Sequence, residues 1–182
     1  MILREFRTVT AIAIVITLAA CAREERPAPP PQVPARGALP RPSPGTAISE
    51  ADFVFENGSI DLFAIRSSEL ALQRSSSARI RDFAQTMIED HKGTSAQLSL
   101  EGRRLNLLPS ATLRPSEQVM FDSLTSSSRF DADYVRDQRI VHQKAIALDA
   151  AYAANGSSPT LRPVAAAALP IEQRHLRLIA YL

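Results

Sequence analysis

The chain has 182 residues, with 21 Lys+Arg against 19 Asp+Glu, thirteen Pro, three His, one Cys and no Trp. That length allows one modest domain with accessory segments, and a single Cys excludes an intrachain disulfide framework or a Cys-rich zinc module. The balanced charge argues against nucleic-acid binding driven by counterion release.

In chain order, the first element is an address. Arg4 and Arg7 precede an uncharged apolar run from Thr8 to Ala20, the layout of a secretory signal and too short to span a bilayer as a helix. It ends in Leu18-Ala19-Ala20-Cys21, which resembles a bacterial lipobox. Residues 1–20 then form a lipoprotein signal peptide, and Cys21 is acylated and holds the chain to a membrane. Two or three acyl chains anchor stably where one is marginal. Ala22, in place of Asp, favours the periplasmic face of the outer membrane over the inner membrane. Residues 21–49 follow as the lipidated Cys and a disordered tether. Eight of the thirteen prolines fall between 22 and 49, which denies the stretch both helix and central strand.

Residues 50–182 read as helices. Ser49 and Asp52 match a capping box, Ser clusters recur at 75–77, 126–128 and 157–158, Ser128 with Asp131 repeats the cap pattern, and Pro159 fits a first helical position. Asn155-Gly156 reads as a stop. The spacing predicts helices over about 50–73, 77–106, 129–154 and 159–181, with a short extra turn over 116–125, and a kink at Pro170 in the last. Each carries an apolar stripe, and four such helices with short links bury their stripes as an all-α four-helix bundle. Residues 50–182 hold 15 Lys+Arg and 16 Asp+Glu, so the basic excess belongs to the signal and tether.

The chemistry sits in the histidines. His91, His142 and His175 each lie on or beside an apolar stripe of a different predicted helix, so three imidazoles can converge in the bundle core. Glu172 precedes His175 by three residues, Asp131 lies about three turns before His142, and Asp90 adjoins His91. A di-iron bundle needs two Glu-x-x-His motifs, and only one is present: Ile88 and Arg139 stand three before the other two histidines. What remains is either a mononuclear metal site or three core histidines hydrogen-bonded to their neighbours. No Gly-x-Ser-x-Gly elbow and no Gly-rich phosphate loop occurs, so no catalytic or organic-cofactor site is expected.

An ordered set of residues carries a family likeness: Phe53-Val54, Asp61-Leu62-Phe63, Ser67-Ser68, Leu70-Ala71-Leu72-Gln73-Arg74, Phe83-Ala84, Met87, Asp90-His91, Leu98, Phe130-Asp131, Tyr134, His142, Leu169-Pro170 and His175-Leu176. Over about residues 50–182 the chain resembles the bacterial domain-of-unknown-function family 4142. The resemblance implies an exported, ferritin-like bundle with no assigned reaction. Relatives usually carry Glu after Asp-Leu-Phe where this chain has Ala64, and Asp61, one turn earlier, can partly substitute.

Two functional expectations follow. The first is a lipid-anchored, non-enzymatic envelope module that binds an envelope protein or cell-wall partner, or supports the envelope under stress. It uses no cofactor and contacts no nucleic acid. The second is a ferritin-like metal-binding protein that holds one iron, zinc or manganese ion through His91, His142 and His175, with carboxylates from among Asp61, Asp90, Asp131 and Glu172.

Overall fold

Local rules place the helix ends. Ser49 starts α1 (Glu50–Arg74): its hydroxyl oxygen accepts from the Asp52 N–H at 3.0 Å and donates to the Asp52 carboxylate at 2.7 Å. This satisfies one of the free amides of the first turn. Ser77 does the same for α2 (Ala78–Arg104), accepting from the Ile80 N–H. The rest of the chain forms α3 (Pro115–Ser126), α4 (Phe130–Asn155) and α5 (Leu161–Ile179). The computed structural model describes residues 48–182. The expected signal peptide, Cys21 and the Pro-rich stretch through residue 47 lie outside the described residues.

Two local expectations are corrected. Ser128 and Asp131 do not cap α4. Arg129 holds the cap position with no side-chain bond, while the Ser127 hydroxyl accepts from the Arg129 N–H at 2.9 Å and donates to Asp133 at 2.5 Å. The turn turns Ser127, not Ser128, toward the helix start. Pro159 falls just ahead of α5, because Ser158 opens the turn: its hydroxyl accepts from the Leu161 N–H at 3.3 Å and its carbonyl from the Arg162 N–H. Pro170 lies inside α5 as expected, and the helix continues through it. Pro170 and Ala166, whose carbonyl loses its donor, are both exposed residues, so water can take that carbonyl's bond.

The end of α2 shows why particular residues are needed there. The Leu107 N–H returns to the Gly102 carbonyl at 2.8 Å and the Asn106 N–H to the Arg103 carbonyl at 3.1 Å, with Asn106 at a φ of 56°. This is a Schellman turn with Asn in the left-handed position. A Cβ on Gly102 would meet the Leu107 carbonyl oxygen at 2.2 Å, so only glycine lets the chain fold back this closely.

α1, α2, α5 and α4 form a ring of neighbours, with α3 laid against α1 and α4. α2 and α4 are joined by the long segment that contains α3, so one crossover links two helix pairs, the connectivity of ferritin-like bundles. A buried ion pair pins the crossover. Glu117 of α3, 1% exposed, receives Lys144 of α4 at 2.8 Å and the Ser59 hydroxyl of α1 at 3.1 Å. Burial pushes its carboxyl upward, but the bonds from Lys144 and Ser116 outweigh that and hold it below the usual range.

Of three apolar clusters in the bundle, two divide the length of its long helices. One contains Ala71, Ile80, Phe83, Met87, Tyr134 and Ile179, and the other Phe53, Val54, Leu98, Tyr152, Leu161 and Ala165. Phe53 and Tyr152 stack with ring centres 3.9 Å apart. His91, His142 and His175 fall, in sequence, between the members that each helix gives to the two clusters. The histidines therefore form a polar layer closed by hydrocarbon on both sides.

Candidate metal centre

α2 supplies His91, α4 His142 and α5 His175 with Glu172, and all four are buried to 2% exposure or less. One ligand atom from each lies within 4.8 Å of every other. His142 Nε2 is the hub: it stands 3.4 Å from His91 Nε2, 3.2 Å from His175 Nδ1 and 3.6 Å from Glu172 Oε2.

The outward nitrogens fix the tautomers. His91 Nδ1–H donates to Asp61 Oδ1 of α1 at 2.9 Å, and Thr94 donates to the same oxygen at 2.9 Å. His142 Nδ1–H donates to the Gln138 carbonyl at 2.6 Å. His175 Nε2–H donates to Asp90 at 2.8 Å, and Arg174 also donates to that carboxylate at 2.5 Å. Each outer partner is an acceptor, so each outer nitrogen must carry the hydrogen. The three inner nitrogens of neutral imidazoles are then lone pairs that face one another. Lone pairs at 3.2–3.4 Å repel unless a proton or a cation lies between them.

The titration behaviour follows from this crowding. Burial alone would depress His91, but the bond to Asp61 and the charges of Glu172, Asp61 and Asp90 raise it above the ordinary value. Burial, with the charge of His91, drives His142 well below. Burial also takes His175 down to about 4, against the pull of Asp90, and raises Glu172 to about 7, tempered by His91. Burial thus favours the neutral imidazole at His142 and His175, the form that binds metal.

A metal fits the residues present. Metal–nitrogen bonds of about 2.0–2.1 Å in a tetrahedron set the ligand atoms roughly 3.3 Å apart, close to the 3.2, 3.4 and 3.6 Å measured around His142 Nε2. Glu172 Oε2, buried and without a hydrogen-bond partner, supplies the fourth donor. Outer acceptors on each histidine are the usual support of a metal-binding imidazole.

The structure brings together His91, His142, His175 and Glu172, and places Asp61 and Asp90 one bond behind them. It does not bring Asp131. That residue lies in the first turn of α4, eleven positions before His142 and therefore roughly 16 Å along the helix axis. Ala64, where relatives usually carry Glu, is fully buried. Sequence reasoning passed over Thr94, Gln138, Asn57 and Asp149. Thr94 is three after His91 and Asp149 seven after His142, so helical spacing marks both. Gln138 acts through its backbone carbonyl, which no side-chain pattern reveals.

Among the described residues, no helix is long and apolar enough to cross a membrane. In sequence, no curated protein matches the chain. In fold, the bundle is similar to CopM in its Cu(II)-bound form, with a TM-score of 0.63, 16% identity and coverage of 74% of this chain and 95% of that one. Similar values hold for CopM in its Cu(I)-bound form, with a TM-score of 0.62, 15% identity and coverage of 73% and 94%. CopM in its apo form gives 0.60 and 16%, with coverage of 73% and 94%. At that identity the likeness establishes the helical architecture. The family profile described as Domain of unknown function (DUF4142) matches residues 36–182, and with the bundle and its histidine layer on the expected helices, this chain belongs to that family.

Proposed function

We propose that this protein binds one divalent transition-metal ion through His91, His142, His175 and Glu172, in an exported domain tethered through Cys21. The observation that carries the reading is the meeting of three imidazole lone pairs and an unpartnered buried carboxylate at one point. Three nitrogens and one oxygen, without thiolate or thioether, suit Cu²⁺ or Zn²⁺ better than Cu⁺ or Ag⁺. The general affinity order puts Cu²⁺ ahead of zinc, iron and manganese. CopM, similar in fold, was solved with Cu(II) and Cu(I), which supports copper here. Four protein ligands complete a tetrahedron and leave no open position for a substrate, so the site serves binding rather than catalysis.

The purified chain, stripped by chelator and offered Cu²⁺ or Zn²⁺, is expected to retain one equivalent through gel filtration. The Cu²⁺ form is expected to show nitrogen hyperfine structure in its electron paramagnetic resonance spectrum. Protein that emerges metal-free overturns the reading. Location is tested separately. Cys21→Ser is expected to move the protein from the membrane fraction to the soluble periplasmic fraction, and unchanged membrane association would remove the anchor.

A further inference from the structure

The four ligands and their outer partners account for the histidine layer, but not for Asp149. This residue of α4 is 1% exposed; its Oδ1 accepts from the Asn57 amide of α1 at 2.7 Å, and its Oδ2 has no partner. A narrow pocket adjoins it, lined by Asn57, Asp61, Thr94, Asp149, Ala168 and Glu172 among others, none of them lysine or arginine. Two of these residues belong to the metal cluster: Glu172 as a ligand, and Asp61 as the acceptor behind His91. The pocket also reaches Gln97, which is exposed, and Val164 and Ala168, which are half-buried. It therefore runs from the seam between α2 and α5 down to the edge of the centre.

A buried carboxylate oxygen without a donor is unfavourable. Here two of them, Asp149 Oδ2 and Glu172 Oε2, belong to the walls of one pocket without a basic side chain. That arrangement suits a cation in passage. Asp149 lies outside the group whose ligand atoms are within 4.8 Å of one another, so it does not complete the same coordination sphere. We propose that this pocket is the loading path of the metal centre. Asp149 is a transient oxygen ligand that takes a partly dehydrated divalent cation from the α2–α5 seam and passes it to Glu172 and the three histidines. The proposal rests on the metal reading above.

The test is the rate of Cu²⁺ uptake by the stripped full-length protein, followed in a stopped-flow instrument by the copper absorption band, together with the rate of release to a chelator. Carboxylate-lined clefts raise cation on-rates by about tenfold or more, so Asp149→Asn is expected to slow loading roughly tenfold. Ala168→Leu narrows the path without replacing a ligand. It is expected to slow loading and release by the same factor, because a path alters the rates and not the end states, and so to leave the dissociation constant unchanged. Unchanged loading in both variants overturns the path, and so does an Asp149→Asn effect confined to faster release. Should the wild type bind copper while the variants load normally, the path alone fails; should the wild type bind none, both readings fail.

Discussion

Replacing His142 by alanine is expected to weaken metal binding by more than about a hundredfold. His142 Nε2 is the atom to which the other three donors are measured, at 3.4, 3.2 and 3.6 Å. Its loss removes a ligand and leaves His91 and His175 held by Asp61 and Asp90 on either side of a gap. Loss of an outer partner costs a metal site about 10–100-fold, so Asp61→Asn and Asp90→Asn are expected in that range and His142→Ala beyond it. Competition against a chromophoric chelator measures all three. Circular dichroism shows whether each variant is folded, and a folded His142→Ala protein with wild-type affinity would remove the four-ligand centre. The apo fold should tolerate the change, because the substitution also relieves the lone-pair crowding at the hub.

Asp149→Asn is expected to stabilise the metal-free protein by about 4 kcal/mol at pH 7. Burial pushes the Asp149 carboxyl up to about 8, against the pull of Asn57 and with help from the charges of Glu172 and Asp61. Its folded value thus lies above the unfolded value of 3.8. Between those values the unfolded chain has lost the proton and the folded chain has kept it, so wild-type stability falls as pH rises from about 4 to about 8. Glu172, raised from 4.5 to about 7, acts in the same direction over its own window. His175, lowered from 6.5 to about 4, acts oppositely: the unfolded chain takes up its proton first, so stability falls as pH drops through that window. Asparagine keeps the acceptor for Asn57 and removes one alkaline penalty. Its advantage should vanish near pH 4, grow through neutrality and level off above pH 8. Urea denaturation at three pH values reads this directly, and an advantage that is constant with pH would mean that the ionisation of Asp149 is not its source. The variant expected to be more stable is also the one expected to load metal more slowly, the usual exchange at a functional site.

Much of the bundle was legible because helix signals are local. Ser49 and Ser77 begin the helices they were expected to begin. The predicted turn over 116–125 is the helix Pro115–Ser126. Failures came where two local choices were nearly equivalent. Ser127 and Ser128 differ by one position, and the backbone of the turn decides which hydroxyl reaches the helix. On α5 the large apolar Leu178 is 40% exposed while the small Ala165 is buried. Periodicity gives the width of an apolar face but not the angle at which the helix is set against its neighbours.

The candidate site divides along the same line. By itself the sequence determined that three histidines occupy three helices on or beside their apolar stripes, that Glu172 shares a face with His175, and that a basic, apolar and Pro-rich leader precedes the domain. These are matters of residue spacing, which the 3.6-residue period converts directly into faces. Only the tertiary structure decided that the three faces meet at one level. Helices of 19 to 27 residues can slide past one another by a turn, and a slip of one turn, about 5.4 Å, would separate the imidazoles beyond any shared ligand. Side-chain packing in the two apolar clusters on either side sets that stagger. With it set, Asp131 is left about three turns away, Asp61 and Asp90 stand behind the ring nitrogens, and the carboxylate oxygens Asp149 Oδ2 and Glu172 Oε2 are buried without donors. The last fact is what favours the metal reading over three satisfied core histidines.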